Sequence, residues 1–449
     1  MSFPRYPTYK DSGVEWLGEV PGHWEVTRLK NIASINMGQS PNSDDCTQEE
    51  VGLPFLQGNA DFGVSNPLPR SYCVVANKLA KVNDILFSVR APVGAINIAD
   101  QAYGIGRGLC AITPSSECSM RFVFHALQVM KSELFAVATG STYEAVSTDQ
   151  VGNATCLAPP LPEQTQIAAF LDRETAKIDG LVAEQQRLMA LLKEKRQAVI
   201  SHAVTRGLNP DAPMKPSGIE WLGGVPAHWE VVPLKYLCLL LKDGTHLPPE
   251  RVDVGIPLLS VRNLIDGKFS LRSDDSMISE ESYQFLCRAF VPKEEDVLLA
   301  IVGATLGKTA VIPDGIGPFH IQRSVAIFRT RQEIIQARFL NLVFQCGPFQ
   351  ALLWEMVGYS AQPGIYLGTL ENIRIPVPSV DEQTLMLEAI SVAVSELTDL
   401  TAEAKRAIDL LQERRTALIS AAVTGQIDMR NLQCGANQPV PQGVVCETR

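Results

Sequence analysis

The stretch SGVEWLGEVPGHWEVTRLK, at residues 12–30, returns as SGIEWLGGVPAHWEVVPLK at residues 217–235, with fourteen of nineteen positions identical. A second pair, KEKRQAVISHAVT at 193–205 and QERRTALISAAVT at 412–424, keeps eight of thirteen. Matches of this quality identify the 449-residue chain as a tandem duplication. The offset is 205 in the first pair and 219 in the second, so the second copy is 14 residues longer between them.

The part of each copy after the repeated stretch, about residues 21–160 and 226–378, contains short apolar runs bounded by glycine and proline. Examples are LPFLQG, DILFSV, GAINIA and LCAIT in the first copy, and IPLLSV, DVLLAIVGAT, TAVI and SVAIF in the second. Runs of this length predict strands. One helix is predicted late in each part, over 120–135 and 336–356. The predicted fold class is therefore α+β.

The last part of each copy predicts one long helix. Residues 163–205 contain no proline and a single glycine. Apolar side chains recur in alternating steps of four and three, interrupted at Glu174, Gln185 and Lys195. That spacing is typical of a coiled-coil seam. The positions concerned are Ile167, Leu171, Ile178, Leu181, Leu188, Leu192 and Val199, and adding 219 gives Met386, Ile390, Leu397, Leu400, Ala407, Leu411 and Leu418.

A helix of about forty residues is about 60 Å long and must bury its apolar stripe. One alternative is that each helix packs on its own β-rich domain. We favour pairing of the two helices: two β-rich domains joined and separated by two long helices that form an antiparallel coiled coil with pseudo-two-fold symmetry. The predicted boundaries are 1–160 and 208–379 for the domains, 161–207 and 380–426 for the helices, and 427–449 for a mobile tail.

Composition excludes several classes of protein. The chain has 39 basic and 49 acidic residues, a net charge of −10, which disfavours non-specific binding to polyanions. Neither a membrane-spanning apolar run nor a secretory signal is present, and the ten cysteines form no C-x-x-C pair. These features predict a cytoplasmic protein without a disulfide framework or a zinc ribbon.

Motifs for catalysis are also missing from the sequence. GATLGKT, at 303–309, has three residues between its glycines where a phosphate-binding loop needs four. His23 and His228 occupy one repeat position beside a tryptophan, which favours a structural role. No H-E-x-x-H and no D/N-P-P-Y/F tetrapeptide occurs. We therefore predict no catalytic residue, no metal site and no cofactor in this chain.

Several of these elements together resemble the specificity subunit of type I restriction–modification enzymes. They are the repeated stretch, the Glu-Gln pair that opens each long helix (LPEQ at 161–164, VDEQ at 380–383) and the R-x-A-[VL]-I-S-x-A-V-T helix ends. NMGQSP at 36–41, DGTH at 243–246 and GATLGKT at 303–309 belong to the same set. The resemblance covers nearly the whole chain, from about residue 12 to residue 426.

The resemblance implies a non-catalytic subunit that reads double-stranded DNA. Each globular part would be a target recognition domain for one half of a bipartite site, and the paired helices would fix the gap between the halves. Two methylation subunits carrying S-adenosylmethionine would dock around the helices. Two ATP-driven restriction subunits, with Mg²⁺, would complete the complex. No membrane partner is implied.

Residues that contact bases are predicted from the chemistry of base edges. Arginine and lysine read guanine, whereas asparagine and glutamine read adenine. On loops between predicted strands, the candidates are Gln39, Ser40, Arg90, Arg107 and Tyr143 in the first copy, and Thr245, His246, Arg262, Asn263, Lys308 and Arg323 in the second.

Two alternative functions stay open. A specificity subunit of a related system, whose partner is a fused methyltransferase–nuclease, has the same sequence features. A coiled-coil adaptor without a DNA role accounts for the helices, but it leaves the divergence of two otherwise parallel domains unexplained.

Overall fold

The computed structural model describes residues 3–42, 45–137, 145–247, 249–265, 267–357 and 363–430. Within these ranges, no helix has the length and apolar character needed to cross a membrane. The chain divides into two compact units. The first unit is Met1–Glu184 with Ala407–Arg449, and the second unit is Gln185–Arg406. Each unit thus contains the globular part of one copy and a section of both long helices.

In the first unit, short strands are followed by a late helix and then by the first long helix. The strands are β1 (Tyr9–Asp11), β2 (Glu19–Pro21), β3 (Glu25–Arg28), β4 (Ala33–Met37), β5 (Cys46–Thr47), β6 (Leu53–Leu56), β7 (Ser71–Cys73), β8 (Leu79–Ala80), β9 (Ile85–Ser88), β10 (Ile96–Ile98), β11 (Tyr103–Ile105), β12 (Leu109–Pro114) and β13 (Thr155–Ala158). The helices are α1 (Leu29–Ile32), α2 (Met120–Val137), α3 (Thr148–Asn153) and α4 (Leu161–Arg206).

Two sheets form the core of this unit. The first sheet has the order β10-β9-β12-β4 and is antiparallel, and the second has the order β5-β7-β6-β11-β8. Strand β9 is buried on both faces, because Ile85 and Phe87 share a core with α2 whereas Leu86 shares one with the second sheet. Burial on both faces explains why DILFSV reads as a continuous apolar run rather than an alternating one.

In the second unit the same plan recurs with additions. Its strands are β14 (Met214–Pro216), β15 (Gly224–Pro226), β16 (Glu230–Pro233), β17 (Cys238–Asp243), β18 (Arg251–Val252), β19 (Ile256–Leu259), β20 (Leu264–Ile265), β21 (Gly267–Phe269), β22 (Met277–Ile278), β23 (Val297–Ala300), β24 (Thr309–Val311), β25 (His320–Ile321), β26 (Val325–Thr330) and β27 (Arg374–Val377). Its helices are α5 (Leu234–Leu237), α6 (Glu280–Cys287), α7 (Ala337–Gln345), α8 (Gly347–Val357), α9 (Leu367–Leu370) and α10 (Val380–Val423).

The sheets of the second unit repeat those of the first. The order β17-β26-β23-β24, extended here by β21 and β20, matches β4-β12-β9-β10, and β18-β22-β19-β25 matches β5-β7-β6-β11. In both units the second sheet contains one parallel pair, β6 with β11 and β19 with β25. Helix α6 lies between β22 and β23 and has no counterpart between β7 and β9. The fold is α+β, as predicted.

The repeated stretch binds the first turn of each long helix. His23 Nε2 lies 2.9 Å from Glu163 Oε2, and His228 Nε2 lies 2.9 Å from Glu382 Oε2. The buried Trp229 indole N–H donates to Glu382 Oε1 over 3.0 Å. Both histidines therefore hold their repeat against the helix, which confirms the structural role predicted for them.

The glutamines next to those glutamates connect each long helix to the late helix of its domain. Gln164 Oε1 accepts the Ser119 backbone N–H over 2.8 Å, and Gln383 Oε1 accepts the Gln336 N–H over 2.8 Å. Both amides also donate to a proline carbonyl just before their own helix. The Glu-Gln pair of the sequence is thus a junction motif used twice.

The two long helices share a core in each unit. In the first unit, Ile167 and Leu171 of α4 lie in one cluster with Ile419 and Val423 of α10. In the second unit, the end of α4 and the start of α10 lie in another cluster. Each helix therefore packs on its own domain and also against a section of the other helix.

The predicted seam is wrong in the middle of both helices. Leu181, Leu188 and Leu400 are 47%, 42% and 47% exposed. The predicted Leu192 and Leu411 do lie on the less exposed line. That line otherwise runs through Val182, Gln185 and Met189 in α4, and through Thr401, Ala404 and Ile408 in α10. Small and polar side chains occupy several of these positions. A search for large apolar residues therefore selects the neighbouring leucine, one residue away from the less exposed position.

Two further predictions need correction. The helix expected over 336–356 is two helices, α7 and α8, because Pro348 lacks the N–H that a continuous helix requires and fits only in the first turn of a new one. The tail predicted to begin at residue 427 is ordered at its start: Ile427 and Met429 are buried, and the Asp428 N–H donates to the Pro4 carbonyl. Residues 431–449 lie outside the described ranges.

Candidate nucleic-acid interface

The loops that follow β4 and β17 carry the first candidate residues of each copy. Gly38 begins one loop and Gly244 the other, and a Cβ on either would lie 2.2 Å from a backbone oxygen, of Gly106 and Ile321 respectively. Only glycine permits this approach. The Gly38 N–H donates to the Leu109 carbonyl, and the Gly244 N–H makes the equivalent bond in the second unit. The glycines of NMGQSP and DGTH therefore allow each loop to pack directly against the neighbouring backbone.

In the first unit, this contact brings predicted residues from distant parts of the sequence together. The Gln39 N–H donates to the Ile105 carbonyl over 2.9 Å, two residues before the exposed Arg107. Gln57 Nε2 donates to Ser40 Oγ over 3.3 Å, and Asn77 Nδ2 donates to the Ser40 carbonyl over 3.4 Å. Three side-chain amides and an arginine thus form one polar surface. The sequence reading missed Gln57 and Asn77.

Arg90 lies on the strand-to-strand connection beside this surface. The Val89 N–H donates to the Gly108 carbonyl over 3.0 Å, which places Arg90 and Arg107 on adjacent segments, and both side chains are exposed. Ser88 Oγ donates to the Arg90 carbonyl over 2.9 Å and fixes the turn. Tyr143, the remaining candidate of the first copy, lies outside the described residues.

In the second unit, Thr245, His246 and Arg323 meet in the same way. The Thr245 N–H donates to the Ile321 carbonyl over 3.1 Å, and the Arg323 N–H donates to the Thr245 carbonyl over 3.2 Å. The exposed His246 ring lies with Nε2 2.8 Å from Asp243 Oδ2, which fixes its orientation. Arg107 and Arg323 hold equivalent places in the two units, since the residue after each accepts a bond from the matched strand.

Lys308 immediately precedes β24, and its side chain is exposed. The preceding loop, GATLGKT, connects two antiparallel strands, and its Leu306 and Lys308 N–H groups are bonded to carbonyls within the loop. A phosphate-binding loop instead joins a strand to a helix and keeps its N–H groups free for phosphate. The loop geometry thus agrees with the rejection of a nucleotide site here.

Arg262 and Asn263 form hydrogen bonds within the protein. Arg262 donates to the Asp274 carboxylate over 2.9 Å and remains 47% exposed. Asn263 is 1% exposed; its amide donates to Asp275 and its oxygen accepts the Ser260 N–H. In the first unit, Asp61 accepts from backbone at the corresponding turn. This placement favours a positioning role for Asn263 over a base contact.

The two surfaces have the chemistry needed to read base edges. An arginine guanidinium can form two hydrogen bonds to a guanine edge, and a carboxamide can form two to an adenine edge. Loops fixed by backbone hydrogen bonds hold such side chains in a defined position. Among the described residues, no group of three or more histidine, cysteine or acidic side chains is arranged to hold a metal ion.

Comparison with known proteins identifies the class to which this architecture belongs. The family model described as "Type I restriction modification DNA specificity domain" matches twice, at residues 21–188 and 226–410. Because these matches cover most of the chain, the chain belongs to the family of type I restriction–modification specificity subunits.

Full-length relatives agree with this assignment. The specificity subunit of the type I restriction enzyme EcoBI from Escherichia coli is 22% identical over 93% of this chain and 89% of its own length. That of MjaVIII from Methanocaldococcus jannaschii is 23% identical over 92% and 95%. A protein of the same archaeon, provisionally assigned as the MjaX specificity subunit, is 35% identical over 42% of this chain and 44% of its own length.

A solved structure has the same fold. A chain from a study of complex assembly and conformational transition in a type I restriction–modification system superposes with a TM-score of 0.68. It is 18% identical in sequence, and the match covers 91% of this chain and 99% of that one.

Proposed function

We propose that this chain is the non-catalytic DNA-reading subunit of a type I restriction–modification complex and recognises a bipartite target, one half-site per unit. The observation that carries the proposal is the pair of equivalent loop surfaces with different side chains. Gln39, Ser40 and Arg107 occupy in the first unit the places of Thr245, His246 and Arg323 in the second. A DNA site with two different halves requires two different sets of base-contacting side chains, and two copies of one scaffold can supply them.

The long helices are proposed to set the gap between the half-sites as an antiparallel coiled coil. The start of α4 packs with the end of α10 in the first unit, and the reverse holds in the second unit. Arg415 Nε of α10 also lies 3.0 Å from Asp179 Oδ1 of α4. A 46-residue helix is about 69 Å long, roughly two turns of DNA.

The partners of the proposed complex supply its chemistry. Two methylation subunits would carry S-adenosylmethionine, and two restriction subunits would carry ATP and Mg²⁺, all in the cytoplasm. The exposed leucines of the long helices, such as Leu181, Leu191 and Leu410, support docking of the methylation subunits there, because water-exposed apolar side chains on a helix favour a partner surface. Net negative charge is compatible with DNA binding when partners supply many phosphate contacts.

Single-molecule methylation sequencing of host DNA, with and without this gene, tests the proposal. We expect deletion to remove one split motif with methyladenine in each half. Complementation with Arg107→Ala is expected to relax the half-site read by the first unit and leave the other unchanged, since each unit reads one half. An identical methylome in both strains would contradict the proposal. Co-purification then identifies the partner, either a methylation subunit or a fused methyltransferase–nuclease.

A further inference from the structure

A groove of about 480 Å³ lies beside the candidate interface of the second unit. Residues from two segments form its walls: the DGTH loop with its continuation, and helix α6. The apolar part of the wall includes Leu247, which is 81% exposed, and Phe285, which is 63% exposed. Thr245 and His246 also line the groove, so it is continuous with the surface proposed to read bases.

The first unit has different chemistry in the equivalent place. There, the segment between β7 and β9 approaches the Gln39-Ser40 loop and contributes the Asn77 amide, 3.4 Å from the Ser40 carbonyl. In the second unit, the equivalent segment contains helix α6 and contributes Phe285 instead. After matched strands, the first unit therefore presents an amide beside its candidate loop, and the second unit presents a phenyl ring on its additional helix.

Charge at the groove determines which part of DNA it suits. Glu281 lines the same groove, and a carboxylate repels phosphate oxygens. The Arg288 guanidinium carbon lies 5.6 Å from the centroid of the Phe285 ring, and the apolar side chains themselves give a phosphate nothing to bind. In the major groove, the apolar feature that distinguishes one base pair from another is the 5-methyl group of thymine, which Phe and the Thr methyl contact.

We propose that this groove reads the 5-methyl group of a thymine in the second half-site, and that Phe285 is the residue that determines this specificity. The inference rests on the proposed DNA-reading function. Leu247 and the Thr245 methyl complete the apolar wall, and Arg323 on the adjacent segment contacts a neighbouring base pair. The first unit has no counterpart of α6 among its described residues, so its half-site is expected to show no thymine preference of this kind.

Replacing thymine by deoxyuracil, which lacks only that methyl group, tests the inference. The complex of this chain with its co-purifying methylation subunit is titrated with duplexes that contain its own target, in which each thymine of the second half-site is replaced in turn. We expect the wild-type complex to lose about fourfold in affinity at one position, the effect of one buried methyl group. Phe285→Ala is expected to bind both duplexes equally, and Phe285→Leu to retain part of the preference.

Val254→Ala is the matched control, because Val254 is 90% exposed in the same unit and does not line the groove. It is expected to keep the wild-type thymine preference. Two results overturn the inference. In one, the wild-type complex binds its split target with the same affinity after every deoxyuracil substitution. In the other, the Phe285→Ala complex keeps the thymine preference. The inference is also overturned if Phe285→Ala abolishes binding of the methylation subunit and leaves the thymine preference intact. The groove would then be a contact surface for that subunit. If the wild-type complex has no split target at all, the proposed function itself fails.

Discussion

At the scale of single residues, identical sequence does not guarantee identical bonding. Trp24 and Trp229 are equivalent and fully buried, yet only Trp229 donates its indole N–H to a glutamate. The Trp24 N–H has no hydrogen-bond partner among the described residues, because the Tyr6 hydroxyl donates to the matching oxygen of Glu163. Burial, together with the bond to Glu163, raises the pKa of Tyr6. Nothing in the repeated stretch reveals this difference, since Tyr6 lies outside it.

A buried histidine makes the first unit sensitive to pH. His125 is 1% exposed; its Nε2 lies 2.8 Å from Asp172 Oδ1, and Gln128 Nε2 lies 3.3 Å from its Nδ1. These contacts fit a neutral ring that donates through Nε2 and accepts through Nδ1. Burial lowers the pKa of His125, the Asp172 carboxylate opposes this, and Arg121 and Arg415 add to the lowering.

Because the folded chain holds this ring neutral, the unfolded chain takes up the proton first as the pH falls below about 6.5. The contribution to stability is therefore complete above that pH and is lost between pH 6.5 and the lower pKa of the folded state. We expect the urea midpoint of unfolding to drop from pH 7.5 to pH 5.5. His125→Leu, which mimics Leu342 at the equivalent position, should show a shallower drop.

His202→Leu serves as the control, because that side chain is exposed on α4 and should leave the pH dependence unchanged. Equal slopes for the wild type and His125→Leu would show that the pH sensitivity arises elsewhere in the chain.

At the scale of elements, the sequence predicted what local patterns determine. Every quoted apolar run coincides with a strand, and the helix expected over 120–135 is α2. The failures have local physical causes as well: Pro348 divides one predicted helix, and the polar Thr401 occupies the less exposed position next to Leu400, which the search placed in the seam. Periodicity detects a buried face only when that face is uniformly large and apolar.

Two glycines at helix positions should respond in opposite directions to the same substitution. Gly180 is exposed within α4, and a Cβ there meets nothing within 4 Å. Gly180→Ala should raise the free energy of unfolding by about 0.5–1 kcal/mol, because the unfolded chain loses freedom. Gly425, just after α10, has φ +74° and would place a Cβ 2.3 Å from Pro21 Cδ.

Gly425→Ala should therefore lower the stability of the same unit by about 1–2 kcal/mol from the left-handed backbone alone, with the clash added. Urea denaturation of both variants beside the wild type measures the two effects. Gain of stability in Gly425→Ala, or loss in Gly180→Ala, would contradict the conformations described for these glycines.

At the scale of the whole molecule, the site was harder to predict than the fold. Arg107 and Arg323 were predicted because arginine on a loop is a plain signal for base recognition, and both lie on the candidate surfaces. Gln57, Asn77 and Phe285 were missed because each becomes part of the surface only through a loop that is 17 or more residues away in the sequence. A duplicated chain offers one remedy, since matched positions in the two copies can be compared once the strands are aligned.

The spacing role proposed for the helices yields a prediction on the same scale. Duplicating seven residues in both helices, 185–191 of α4 and 400–406 of α10, keeps the seam in register and lengthens each helix by about 10.5 Å. At about 3.4 Å per base pair, the gap of the methylated motif should grow by up to about three base pairs, with both half-sites unchanged. Methylation sequencing of a host carrying the variant measures the gap directly.

The same duplication in α4 alone is the control, because it leaves seven residues without a partner and displaces the core that Ile200 and Ile390 share in the second unit. That variant should lose methylation of the split motif altogether. If the double variant instead methylates the original motif with its original gap, the helices do not determine the spacing, and the distance between half-sites must be set by the partner subunits.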